Sequence, residues 1–547
     1  MFTHPFTIPP SLRPTTTKHT VTTPPRSDER QGDSDRQTST RPTAMLTRSA
    51  FCVTCGFAAL ATAYAITPDV PRFAPSAATS ASTVRSLRQP RSLTSAARNA
   101  RQPALHMAAA SSATSGGGSS MTSSIINLSK NIVGSGVLAL AAGVAAFTAS
   151  PMGVLPALAV LLFLGGASGY TFSLIARVGT EVGADSYRDA WTKVFGAGTA
   201  FIPAITILFK TLVGGFCYSI ILGDLTASIA KLLGLPALFH SSNAWIILLS
   251  ATVLLPLSLM RDLSSLAFGS VIGTAGTLYT ALFIWLRKLD GSYAAGGGYH
   301  QLIAESARPS FAAATAAQPL INSGIFVLVS MLATAFLAHY NAPKFYNSLE
   351  APADGSSKQA AFNKVCFAAF GLAALLCASI MAGGFLTFGG ASQGLILNSY
   401  ATSDPLALLA RVGICASIVF SYPLNFVGLR DGVLSMLKLD GSKGSVHTIT
   451  TVALLCAMNG LSLVVKNLGL VVAIGGAALG TSLVYTFPAL MFIQATRLKG
   501  KELRAKGQSL PAGRVREMYA NMGLVGLGLS LGLLGVQISL RSAGGGH

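Results

Sequence analysis

The chain has 547 residues, of which 51% are hydrophobic and 11% charged, whereas soluble globular domains carry about a quarter charged residues. Together with a mean hydropathy of +0.56, this excludes an ordinary soluble protein and points to a polytopic membrane protein. The net charge of +20 does not indicate a nucleic-acid partner, because the basic residues gather in an N-terminal tail and a few loops, without a basic face or a recognition motif.

Residues 1–120 are rich in Ser, Thr, Pro, Arg and Ala. Such a segment cannot bury a core and is expected to be disordered. Within it, "MLTRSAFCVTCGFAALATAYA" (45–65) has the basic start, apolar run and A-x-A-like end of a secretory signal. Residues 66–107 are rich in Arg and Ser and nearly free of acid, like an organelle transit peptide. A signal followed by a transit-like stretch is similar to the two-part presequences of algae with complex plastids, and implies a plastid membrane. A vacuolar, endomembrane or plasma-membrane location, with 1–120 as a plain cytosolic tail, is the alternative. Met45 is a second candidate start. Cys52 and Cys55 form a CxxC, but neither a βαβ context nor a second ligand pair accompanies it. The other five cysteines lie in apolar runs and read as small buried hydrophobes.

From 121 to 540 the hydropathy pattern predicts about eleven transmembrane helices, at roughly 123–147, 152–178, 198–223, 244–260, 265–288, 319–341, 363–388, 404–425, 446–465, 467–494 and 519–539. A disordered tail is expected over 541–547. The loops after the sixth, eighth and tenth spans are basic, whereas "GGASQGLILNSYATSD" after the seventh has no Lys or Arg. Basic loops stay on the cytoplasmic side, so the pattern fits an N-terminus inside and an odd number of spans.

The first span reads "NLSKNIVGSGVLALAAG" (Asn127–Gly143), with Gly-Ser-Gly at its centre. Unwound backbone at membrane depth is tolerated where it lines a cavity or is buried in protein. Secondary transporters use such breaks to aim amide N–H groups at a substrate carboxylate. Gly134, Ser135 and Gly136 are therefore candidate substrate-binding residues; close helix packing by small residues is the alternative.

The same stretch resembles the first span of the amino acid/auxin permease family, which includes vacuolar and sodium-coupled neutral amino acid transporters. Other segments are similar in family order: "SYRDAWTKVFG" (186–196), "YSIILGDL" (218–225), "LLPLSLMRDLSSLAFGSVIG" (254–273), "AFLAHYNAPKFYNSLE" (335–350), "GGFLTFG" (383–389), "SYPLNFVGLRD" (421–431) and "IGGAALGTSLVYTFPALMFI" (474–493). The resemblance implies an all-α integral membrane protein with an inverted-repeat (5+5, plus one) leucine-transporter-type fold, broken in spans one and six, with substrate held between the breaks. Where the family often has proline after "LAL", this chain has Ala141.

The resemblance also frames the polar residues of the spans. Asn127 or Asn131 takes the position of an asparagine that contributes to ion coupling in sodium-coupled members; both as packing amides is the alternative. Ser417 and Ser421, four apart on one helical face of span eight, are where such folds place hydroxyls for Na⁺, and Ser421 precedes Pro423, which can free a carbonyl. A proton-coupled carrier needs a titratable group instead, and His339 is the nearest candidate, although its expected place at the end of span six also suits a gate. Phe336 and Tyr340 are candidate pocket walls. Lys210, well inside span three with no carboxylate nearby in sequence, is left without an assignment, and Lys130 reads as a snorkelling side chain.

These readings converge on a secondary active amino acid transporter, a symporter working by alternating access. An amino acid sensor on the same scaffold needs the same pocket and is the alternative. Nucleophile-elbow, HExxH and P-loop patterns are missing from the sequence, so no enzyme is expected. No cofactor is implied beyond Na⁺ or H⁺ as coupling ion; the partners are an amino acid and the lipid bilayer, with oligomeric state open.

Overall fold

The computed structural model describes residues 119–261, 267–315, 319–352 and 355–544, all within one compact unit. The expected targeting segments at 45–65 and 66–107 lie outside the described residues. Among the described residues every named element is helical, and the β pairings are two isolated bridges, Ser119 with Leu349 and Ser310 with Gly389.

Among the described residues nine helices are long and apolar enough to cross a membrane: Pro151–Val182, Ala197–Leu232, Ser242–Leu259, Ile325–Ser348, Lys358–Phe388, Pro405–Leu437, Gly444–Val464, Leu468–Ala505 and Ala512–Ser542. A tenth is added if Met121–Ile132 and Gly136–Ala145, which meet at a 50° bend, count as one span. The 23-residue helix Ala267–Leu289 occupies the place of the fifth expected span. Spans are numbered below in this chain order, one to eleven.

Several helices outrun the hydropathy edges. Span three continues to Leu232, so Asp224 lies two turns inside its end rather than closing it. Its carboxylate accepts a hydrogen bond from Asn398 Nδ2 at 3.1 Å, and a satisfied charge does not end a helix. Span ten runs on through the first part of the basic loop to Ala505, because Lys, Arg and Glu are good helix formers outside lipid and Glu502 pairs with Lys506 four residues on. The last helix continues to Gly544, past the expected start of the tail at 541, and 545–547 lie outside the described residues.

Contacts between loops sort the molecule into two faces. On one, Arg514 and Lys499 pair with Glu181 at the end of span two, Arg261 after span four donates to the Ser442 carbonyl in the eighth loop, and Ser119 bridges Leu349 after span six. These are the ends that carry the basic loops. On the other face, Asn322 Nδ2 donates to the Phe147 carbonyl at 2.7 Å, Ser310 bridges Gly389, and Arg287 pairs with Asp404 at 2.7 Å.

Small residues let the helices approach where the core is tightest. A Cβ on Gly276 of span five would sit 3.0 Å from the Gly413 backbone of span eight. One on Gly476 of span ten would fall 1.7 Å from the Ser330 carbonyl oxygen of span six. Such glycines act in membranes as smooth seams, where packing rather than a hydrophobic drive holds helices together.

Candidate functional site

The site begins at the break in span one. Ser120 caps its first half, accepting a hydrogen bond from the Ser123 amide, and the helix stops at Ile132. Gly134 is extended, at φ −103° and ψ −169°, a conformation open to any L-residue. The glycine is therefore not demanded by its dihedrals. A Cβ there would meet nothing within 4 Å, so the missing side chain leaves free volume. A 3₁₀ turn, Ser135–Ala139, restarts the span, and Leu140–Ala145 completes it. The last carbonyls of the first half and the first amides of the second lack intrahelical partners.

Span six breaks beside it. Its helix Ile325–Ala335 ends, residues 336–338 leave the helix, and His339–Asn341 form a 3₁₀ turn leading into Ala342–Ser348. The breaks are joined on both sides. Asn341 Nδ2 donates to Asn131 Oδ1 at 3.1 Å. Gly136 faces Thr334, where an added Cβ would lie 3.5 Å from Cγ2, and Thr334 Oγ1 donates to the Val472 carbonyl of span ten at 2.8 Å. The next residues of span ten, Gly476–Gly480, form a π-helical turn, a distortion frequent at functional sites.

Between the breaks and spans three, five, seven and eight lies a cavity of about 760 Å³, a size suited to a small organic ligand. Its lining descends from Gly134, Gly136 and Thr334 along the first halves of spans one and three to Ser119, Lys344 and Ser348, which lie on the basic-loop face. Toward the other face the way is filled by Leu140, Ala141, Phe147, Leu328 and Phe388, all buried.

Of the residues singled out in the sequence, the cavity wall brings together Asn127, Asn131, Gly134, Gly136, Ser417, Ser421 and Tyr340. The Ser135 side chain lies outside the described residues. Asn127 Nδ2 donates to Ser123 Oγ at 3.3 Å, and Asn131 is engaged with Asn341. Ser417 faces Gly273, where a Cβ would meet its Oγ at 2.5 Å, so this hydroxyl is exposed to the cavity only because position 273 is glycine. Phe336 and His339 are elsewhere. The Phe336 ring is fully buried, tilted against Phe370 with centroids 6.3 Å apart and packed on Gly165. His339 is also fully buried; its Nε2 lies 3.1 Å from the Ser168 carbonyl oxygen and 3.0 Å from Thr171 Oγ1. A carbonyl can only accept, so Nε2 carries the proton and Nδ1 is bare.

Sequence reasoning missed Thr334, Asn341, Asn425, Thr274 and Thr277, which share the wall. Asn425 continues the Ser417–Ser421 stripe by four more residues, a helical spacing that could have been read. It donates to the Thr211 carbonyl of span three at 2.8 Å. Lys210 also faces the cavity and donates to Tyr340 Oη at 2.9 Å.

A helical bundle in which two interrupted spans meet at a cavity carrying a few polar side chains defines a multi-pass membrane protein of the solute-transporter class. The chain belongs to the Transmembrane amino acid transporter protein family, whose profile matches residues 117–510. It is 25% identical over 417 residues to a Danio rerio protein described as "Putative sodium-coupled neutral amino acid transporter 11", covering 75% of this chain and 86% of that one. It is 25% identical to "Vacuolar amino acid transporter 5" of Schizosaccharomyces pombe, covering 68% and 83%. Among solved structures, "Inward facing conformation of Mhp1" aligns over 78% of this chain and 92% of that one, with 13% identity and a TM-score of 0.44.

Proposed function

We propose that this protein carries amino acids across its membrane by alternating access, driven by an ion gradient. The observation that carries the reading is the cavity at the meeting of two broken spans, continuous with one face and closed toward the other. The freed amides after Gly134 suit the substrate α-carboxylate, and the freed carbonyls at the end of the first half-helix suit the α-ammonium. The family supports an amino acid as substrate. No observation favours a sensor, and the relatives are described as transporters.

Na⁺ is the coupling ion we favour. Ser417 and Ser421 place hydroxyl-bearing side chains of span eight on the wall of the cavity that the break also lines, and oxygen ligands suit a hard cation. His339, the alternative proton group, is sealed off between Ser168, Thr171 and aromatic rings. The test is uptake of labelled amino acids into liposomes containing the full chain, under a Na⁺ gradient, an H⁺ gradient or neither. Na⁺-stimulated uptake lost in Ser417→Ala/Ser421→Ala supports the reading. Uptake stimulated by protons alone overturns the sodium assignment, and binding without counterflow overturns transport itself.

A further inference from the structure

The described lining of the cavity holds three lysines, Lys130, Lys210 and Lys344, and no aspartate, glutamate, histidine or arginine. Lys210 is the tenth residue of the helix Phe201–Leu232 in span three, and no carboxylate lies within ion-pair distance of it among the described residues. A cation at that depth without a protein counter-charge is expensive, and such residues mark substrate or ion pathways. Its contact is the phenol oxygen of Tyr340 at 2.9 Å, which fixes the ammonium without neutralising it.

Tyr340 precedes Asn341, which clasps Asn131 across the two breaks. Val213, less than one turn further along the Lys210 face, packs on Gly475, where a Cβ would lie 2.9 Å from Val213 Cγ1. Gly475 in turn follows Val472, whose carbonyl is bonded to Thr334 beside Gly136. Lys210 thus lies to the open side of the broken segment, three residues before Val213 on span three. A ligand whose α-carboxylate meets the break has its side chain in the cavity that Lys210 lines.

The geometry points to an acidic amino acid as the preferred cargo, with its second carboxylate bound by Lys210 and held in register by Tyr340. This rests on the amino acid reading above and names its substrate class. A side-chain carboxylate supplies the counter-charge the span lacks, whereas the isosteric amide of glutamine leaves the ammonium uncompensated. Lys130, in the last turn before the break in span one, and Lys344, at the basic-loop end of the cavity, add the same sign of charge and favour entry of an anion over a cation.

The experiment compares labelled glutamate with labelled glutamine, and with leucine as a third substrate, in liposomes containing the full chain. In the unsubstituted protein glutamate is expected to be carried with at least a tenfold higher kcat/KM than glutamine. In Lys210→Met the glutamate-to-glutamine ratio is expected to fall by about 30-fold or more, as truncating one partner of a buried charge pair does. Tyr340→Phe, which keeps the ring, is expected to lower the ratio less. A preference for glutamine or leucine in the unsubstituted chain overturns the inference while leaving amino acid transport standing, and needs no variant to fold. A Lys210→Met protein that loses glutamate and glutamine uptake in equal proportion also overturns it, because the lysine then positions the helices rather than reading the cargo. Failure to carry any amino acid removes the transport reading as well, so the two failures are distinct.

Discussion

At the scale of single residues, the sharpest statement concerns Gly134. Its extended backbone accepts any residue, and a Cβ there meets nothing, so the chain folds around a larger side chain but loses the volume beside the freed amides. Gly134→Leu is expected to abolish amino acid uptake while the protein still inserts at normal levels; Gly134→Ala retains most of it. Unimpaired uptake with leucine at 134 would show that the break is not the substrate site. His339 makes the opposite case. The Nε2 proton goes to a backbone carbonyl and the ring is walled by Phe172 and Phe370, so we expect His339→Gln, which keeps a donor, to leave the ion dependence of uptake unaltered. Uptake that loses proton dependence in that variant would restore the histidine as the coupling group. Sequence alone put His339 at the end of span six because the apolar run stops there. The span in fact breaks at 336–338 and continues to Ser348, which leaves the histidine inside the protein.

At the scale of elements, hydropathy placed the spans well and their ends poorly, since a helix stops where its backbone and charges are no longer satisfied rather than where apolar residues stop. The Gly-Ser-Gly interruption of span one was legible, being local. Part of the cavity wall was not, because Lys210, Asn341 and Asn425 come from three separate spans and share that wall only after folding. The same holds for the latch on the face away from the basic loops. Asp404, fully buried, caps span eight through the amides of Leu406 and Ala407. It also takes both Nε and Nη2 of Arg287 from span five at 2.9 and 2.7 Å, and the Tyr293 hydroxyl at 2.9 Å. Burial first, and Asp404 second, push the Tyr293 phenol above its ordinary range, so it stays a donor. Two turns on, Arg411 gathers the carbonyls of Leu397, Tyr400 and Ala401, tying the loop after span seven to the start of the same span. Removing Asp404 leaves Arg287 with the more exposed Asp290 as its counter-charge, so the cost falls below the roughly 3–5 kcal/mol of breaking an isolated buried pair. Asp404→Ala is expected to lower the unfolding temperature in detergent by several degrees; an unchanged Tm would mean that the loop is held by packing alone.

At the scale of the whole molecule, the arrangement is that expected of one end of the proposed transport cycle. The cavity is continuous with the basic-loop face through Ser119, Asn127 and Lys344, while Leu140, Phe147 and Phe388 fill the way to the other face, with the Asp404 latch above them. Alternating access requires a second arrangement in which the closed side opens, and the conformation described here makes that side inaccessible. Ser421 is suited to test this, since it lines the cavity on span eight and cysteine differs from serine by one atom. In Ser421→Cys made on a background whose native cysteines are replaced by serine, since Cys456 is exposed and Cys217 lines the same cavity, a charged, membrane-impermeant thiol reagent is expected to react from the basic-loop side, faster than with that background alone. Bound amino acid should slow that reaction by occupying the same volume. From the opposite side, reaction should be slow until the outward step of the cycle is driven. Labelling only from the opposite side would reverse the orientation inferred from the basic loops. Labelling that is equally fast from both sides at rest would describe a continuous pore, and transport by a channel rather than by exchange between two closed states.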